Sequence, residues 1–261
     1  MSLRSTSVSV NFPKIFITTA CFWLLGWFWK VHVFAVHFWG GLSAPLSHGL
    51  FPQLMLDSRV AIFFYALPLL IIPLLIRLTR KKALLAAAIM CVSSLICLSH
   101  IHFFNDATFT TSFWVSIWLL WMAFNSERDD REFPQEARWL AKAMIAVIFL
   151  GGFIGKLTPT YWSGEVLHDI YFQQKDYFIY SWLRDSFSEE GVRRLATGFS
   201  RMAIIGEGLL VLGVALRYRL YALLALAVIM GMVFISTPYL FSVMSSLLGM
   251  LLAMMIGVEE K

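Results

Sequence analysis

The stretch Phe149-Leu150-Gly151-Gly152-Phe153-Ile154-Gly155-Lys156-Leu157-Thr158-Pro159-Thr160-Tyr161-Trp162-Ser163-Gly164 closes an apolar run on a lysine, then turns through a proline to an aromatic pair and a glycine. An apolar run of about 20 residues is what a helix needs to cross a bilayer. Lys156 therefore stands at a membrane edge, partly stripped of water. A lysine in solution is almost wholly protonated at neutral pH, and loss of water disfavours its charged form. Lys156 is thus a candidate general base. The competing reading is a snorkelling anchor, a common fate of lysines at span ends.

The same ruler applied outward gives eight candidate spans, at 15–39, 59–77, 83–104, 107–124, 138–155, 199–216, 219–235 and 239–257. The last two are joined by a hairpin at Ser236-Thr237-Pro238. The chain is 59% hydrophobic and 14% charged, which lies outside the soluble globular range. The fold class expected is all-α: a polytopic transmembrane helical bundle, one integral membrane domain over 1–261, with a long outer segment, 156–198, between spans five and six. The net charge of +5 is no nucleic-acid signal, because Lys and Arg sit beside the spans. Arg77, Arg80, Lys81 and Lys82 are the strongest cluster and place their loop in the cytoplasm. Both termini and the mixed-charge loop 125–137 then lie inside, with Lys156 outside. The first span is too long for a signal peptide and lacks a small-x-small cleavage site. Cys21, Cys91 and Cys97 lie inside spans without a CxxC, so they read as inert thiols.

The outer segment is rich in rings that settle at headgroup level: Tyr161, Trp162, Tyr171, Phe172, Tyr177, Phe178, Tyr180 and Trp182. It reads as one or two amphipathic helices on or in the outer leaflet. Ser188 before Glu189 and Glu190 reads as an N-cap leading into span six. No internal repeat is visible, which argues against a repeat-built carrier. Gly231, Ser236, Ser242, Ser245, Ser246 and Gly249 allow close helix packing.

Ionisable residues inside spans face a cavity or a partner. Counted from the assumed outer ends, Lys30 and Glu207 lie at the same depth, which predicts that they pair; the alternative is that Lys30 snorkels alone. His100 and His102 close span three, followed by Asn105 and Asp106. An H-x-H spacing splays two rings on a helix, and no metal site is expected there. His102 and Asn105 reach the outer level of Lys156. Glu165 and His168 follow the lysine motif at helical spacing and would return to the same cavity.

Gly155-Lys156-Leu157, then Trp162 and Gly164, at the outer end of a span, resemble the motif of the vitamin K-dependent gamma-carboxylase-like transmembrane (HTTM) family, with its bacterial members of the SdpB type. The Asn105 turn, the approach Ala137-Arg138-Trp139-Leu140 and the acidic Glu207 follow the same order. The resemblance covers roughly residues 85–257. Glycine–lysine–leucine and Glu207-Gly208-Leu209-Leu210 also resemble the DoxX/MauE group. The first resemblance, through its bacterial members, implies an integral enzyme of a bacterial inner membrane with an outer-facing cavity. In it, Lys156, supported by His102, Asn105 and Glu207, acts as base on a reduced quinone (vitamin K or menaquinol) or on a secreted peptide. Trp114, Phe153 and Trp162 would supply aromatic walls for the quinone. Asn105 is followed by Asp106 here, and the chain has no large part after its last span; both depart from the animal carboxylase. The second resemblance implies a non-catalytic membrane partner in maturation or export of a secreted or periplasmic protein.

Overall fold

A bilayer offers no water to backbone N–H and C=O groups, so a spanning chain must satisfy them internally, and helices do so. In a computed structural model the described residues are 8–39, 52–100, 107–128, 132–175, 178–236 and 238–260. They are all-α, apart from one short antiparallel pairing of Val8–Val10 with Val258–Glu260. Among them, seven helical segments are long and apolar enough to cross a membrane: Phe12–Trp29, Ser58–Leu75, Arg80–Leu98, Ala107–Phe124, Phe133–Lys156, Glu189–Ala215 and Leu240–Gly257. An eighth apolar helix runs over Tyr218–Ser236. The chain is an integral membrane protein built as a helical bundle.

The ends of these segments follow local chemistry. Asn11 accepts from the Lys14 N–H and Pro13 occupies the first turn, so helix α1 (Phe12–Trp29) starts before residue 15. The expected single span 15–39 is broken: α1 stops at Trp29, Lys30 caps it, and α2 (Val31–Trp39) begins anew. The second span is also composite. Its α3 (Ser58–Ala66) and α4 (Ile71–Leu75) are joined by a tighter turn around Pro68, which lacks an N–H. Helix α5 (Arg80–Leu98), capped by Thr79, ends before the expected residue 104, and α6 covers Ala107–Phe124. Helix α7 (Phe133–Lys156) ends on the lysine as expected.

The chain divides into two compact units, Met1–Ala141 with Ser242–Lys261, and Lys142–Phe241. The core of the first is aromatic. Trp27 Nε1 donates to the Tyr65 carbonyl and Tyr65 Oη returns a bond to the Trp27 carbonyl, both at 3.0 Å. Trp23 stacks on Trp27 with ring centroids 4.7 Å apart and donates to the Ser112 carbonyl. The buried Gly249 meets Phe22, where a Cβ would lie 2.4 Å from the Phe22 Cβ, and Ser245 Oγ donates to the Phe22 carbonyl at 2.6 Å. Close packing at small residues is thus seen at Ser245 and Gly249, while nothing lies within 4 Å of a Cβ at Gly231.

In the second unit the segment 156–198 is folded rather than laid out. After α8 (Pro159–Trp162) comes a π-helical turn, Leu167–Gln173, then α9 (Phe178–Ser186) and α10 (Glu189–Leu212). Phe172, Tyr180, Leu183, Val192 and Ala196 form a buried cluster that joins the turn and α9 to the first half of α10. Ser188 caps α10 by accepting from the Gly191 N–H, as expected, but the helix therefore starts ahead of residue 199. At its other end the half-buried Lys142 donates to the Val214 and Leu216 carbonyls at 2.7 and 3.0 Å. A cation there satisfies carbonyls that the helix end leaves open.

Candidate intramembrane ion-pair site

Lys156 and Glu207 meet inside the second unit. Lys156 Nζ lies 2.8 Å from Glu207 Oε1 and 3.1 Å from Oε2, so one ammonium engages both carboxylate oxygens. The Glu207 side chain is 4% exposed and that of Lys156 27%. The lysine sits in the last turn of α7 and folds back along it, where Nζ also donates to the Gly152 carbonyl at 3.4 Å. Helix side chains lean toward the N-terminus, which is why a residue at the helix end can serve a site one turn deeper.

Two glycines make the room. A Cβ at Gly152 would stand 3.2 Å from both carboxylate oxygens and 3.3 Å from Nζ. A Cβ at Gly208 would stand 3.0 Å from the Phe153 ring. The contact is reciprocal: Gly152 of α7 receives Glu207 of α10, and Gly208 of α10 receives Phe153 of α7. Small residues facing large ones bring the two helices close enough for the charges to touch.

The turn beyond the lysine is pinned to the same helix. Thr158 caps α8 and Pro159 fills its first position. Thr197 Oγ1 donates to the Ser163 carbonyl at 2.6 Å, Ser200 Oγ to the Tyr161 carbonyl at 2.5 Å, and Arg201 Nε to the Trp162 carbonyl at 3.2 Å. Gly164 has φ +82°, and a Cβ there would fall 2.4 Å from the Thr197 backbone nitrogen. The glycine of the motif is thus fixed by close helix approach as well as by a left-handed conformation.

The other expected residues are distributed as follows. Phe153 lies beside the pair, against Gly208. Trp162 is 47% exposed, with the Arg201 guanidinium 5.3 Å from its ring centroid. Trp114 belongs to the first unit, on α6, with its ring against Phe113. His102 and Asn105, with Asp106, lie outside the described residues. The pairing expected between Lys30 and Glu207 is replaced: the carboxylate's ion pair is with Lys156, and Lys30 is buried at the α1–α2 break. Glu165 and His168 line a separate cavity with Ser163, Gly164, Asp169 and Arg193. Gly152 and Gly208 stand outside the expected site residues; their signal in the sequence is Gly152-x-x-x-Lys156 and the Glu207-Gly208 step.

No family model, no curated protein and no solved structure matches this chain. The site must be read from its own chemistry. An ion pair in a span is strongly coupled, because little water screens it. When Glu207 takes the ammonium proton, the Lys156 lone pair is free to accept another from a hydroxyl or an acidic C–H. The carboxylate is buried and the amine is partly open, so the amine is the member of the pair that can be reached from outside.

Proposed function

We propose that this protein is an enzyme of the vitamin K-dependent gamma-carboxylase-like type, set in a bacterial inner membrane with both termini cytoplasmic. In this reading Lys156 accepts a proton from a lipophilic, quinone-type cofactor or from a secreted peptide, and Glu207 holds and returns it. The observation that carries the reading is the Lys156–Glu207 pair itself: a buried carboxylate 2.8 Å from a lysine amine at the end of a span. A lone anchoring lysine would have no use for a buried counter-charge one helix away, whose placement is costly.

The residues present fit a reduced quinone in the chemistry they offer. Lys156 is a proton acceptor open on one side once Glu207 behind it has taken the ammonium proton, so the pair takes up one proton, and Phe153 is an aromatic ring alongside. A reduced quinone, when bound, supplies an acidic hydroxyl and the reducing power for reaction with oxygen. The chain's own part is to keep water from Glu207, to hold the amine against the carboxylate and to move one proton between them. Gly152 and Gly208 keep that geometry by letting α7 and α10 approach.

The test uses purified protein in lipid nanodiscs with menaquinol and oxygen. Oxygen-dependent loss of menaquinol is expected from the native protein and not from Lys156→Ala. Equal loss in both would remove Lys156 from the chemistry. No loss in either would favour the non-catalytic partner of a secreted or periplasmic protein.

A further inference from the structure

Outside the ion-pair site, the outer segment carries a polar groove made of two adjoining cavities. One, of about 430 Å³, is lined by His168, Asp169, Gln173, Arg184, Glu189 and Arg193, with Phe187 and Val192. The other, of about 250 Å³, is lined by Ser163, Gly164, Glu165, His168, Asp169 and Arg193. His168, Asp169 and Arg193 are common to both and form the waist. The larger cavity has the size of small-ligand sites.

The π-helical turn builds this waist. At about 3.6 residues per turn, positions i and i+5 of an α-helix point about 140° apart. The wider turn instead brings the Gln173 amide to His168, with Nε2 atoms 3.2 Å apart. On its other side His168 Nδ1 is 2.5 Å from Asp169 Oδ1. An N–H at Nδ1 donated to the carboxylate leaves Nε2 as acceptor for the Gln173 amide, so the 4% exposed ring is satisfied on both sides. The ring is a fixed floor, and it holds Asp169, about half exposed, at the groove surface. Single π-turns of this kind occur often at functional sites.

Charges of both signs line the groove. The smaller cavity has Glu165 and Asp169 against Arg193. The larger adds Glu189 and Arg184; the Arg184 guanidinium is held by the Phe172 and Lys175 carbonyls and by Ser181 Oγ. Among the described residues Arg193 makes one ion pair, an exposed 3.4 Å contact with Glu189, leaving donors for a ligand. Among the described residues no three His, Cys, Asp or Glu converge as metal ligands. The complement is an organic dipole, with an ammonium toward Glu165 and Asp169 and an anion toward Arg193 and Arg184. The larger cavity is rimmed by Phe187, 43% exposed, in edge contact with Trp182, 52% exposed. Exposed rings beside a polar groove are the arrangement found at the headgroup level of a bilayer.

We propose that this groove binds the headgroup of a zwitterionic phospholipid, its primary ammonium on Glu165 and Asp169 and its phosphate on Arg193. The experiment is native mass spectrometry of the full chain in detergent, titrated with phosphatidylethanolamine or phosphatidylglycerol. Glu165 and Arg193 are both exposed, so Glu165→Gln and Arg193→Gln leave folding intact. Arg193→Gln is expected to weaken both lipids about tenfold, the loss of one charge-assisted contact. Glu165→Gln is expected to weaken only phosphatidylethanolamine, by a similar factor, because phosphatidylglycerol has no ammonium. Equal binding of both lipids, unchanged in both variants, would overturn the proposal. Free phosphoethanolamine in large excess separates the sources. Failure to compete assigns the site to lipid as proposed. Competition that matches the lipid in affinity keeps the dipole chemistry and overturns the lipid as its source.

Discussion

Breaking the Lys156–Glu207 pair from its two sides should have unequal effects. Removing the lysine, as in Lys156→Met, strands a carboxylate whose side chain is 4% exposed. Removing one partner of a buried pair costs about 3–5 kcal/mol, because the remaining charge has neither water nor counter-charge. Removing the glutamate, as in Glu207→Leu, leaves a lysine 27% exposed at a helix end. That side chain can extend toward the interface, and the loss falls to about 1–2 kcal/mol. The double variant Lys156→Met/Glu207→Leu has no stranded charge and should return to within about 1 kcal/mol of the native protein, since apolar replacement of a buried pair is often neutral or better. Thermal unfolding of all four proteins in one detergent gives the cycle. The expected order of stability is native and double highest, Glu207→Leu next, Lys156→Met lowest. Additive losses in the double variant, or a smaller loss for Lys156→Met than for Glu207→Leu, would refute the burial argument.

Two further substitutions test the frame around the pair. Gly164→Ala places a Cβ 2.4 Å from a helix backbone nitrogen at φ +82°; relief requires the turn to leave α10, with left-handed strain and three hydrogen bonds at stake, a loss of about 4 kcal/mol, read as lowered melting temperature and new proteolysis within 158–164. Lys142→Met removes two charged hydrogen bonds to the Val214 and Leu216 carbonyls, and should lower stability by about 2 kcal/mol in the same unfolding assay without changing the lipid binding proposed for the polar groove.

The bundle was legible because apolar runs separated by basic loops leave little choice of structure. Seven of the expected spans appear as helices of sufficient length, with Tyr218–Ser236 as the eighth apolar helix. The finer ends were not legible. Lys30 divides what reads as one run, and the cap at Ser188 sends α10 into the span from well outside it. That second point explains the misassigned partner of Glu207. Depth was counted from an assumed helix end at 199, which matched Glu207 to Lys30. The same count leaves Lys156 at the surface, because its side chain's return along α7 toward Gly152 is invisible to a count of residues. Both members of the true pair were visible as anomalies; their meeting depends on Gly152 and Gly208, whose role is space rather than chemistry. The polar groove was legible only as an aromatic segment with scattered charges. The approach of His168 and Gln173 at i and i+5 fits no ordinary helical period.

The central claim is that the Lys156–Glu207 pair handles a proton for a lipophilic substrate. The most direct measurement is mass spectrometry for quinone epoxide after incubating nanodisc-embedded protein with menaquinol, oxygen and bicarbonate. It compares the native chain with the Lys156→Met/Glu207→Leu variant, which is expected to remain folded. The account predicts epoxide from the native protein and none from the folded variant. Epoxide from both at equal rate would contradict it.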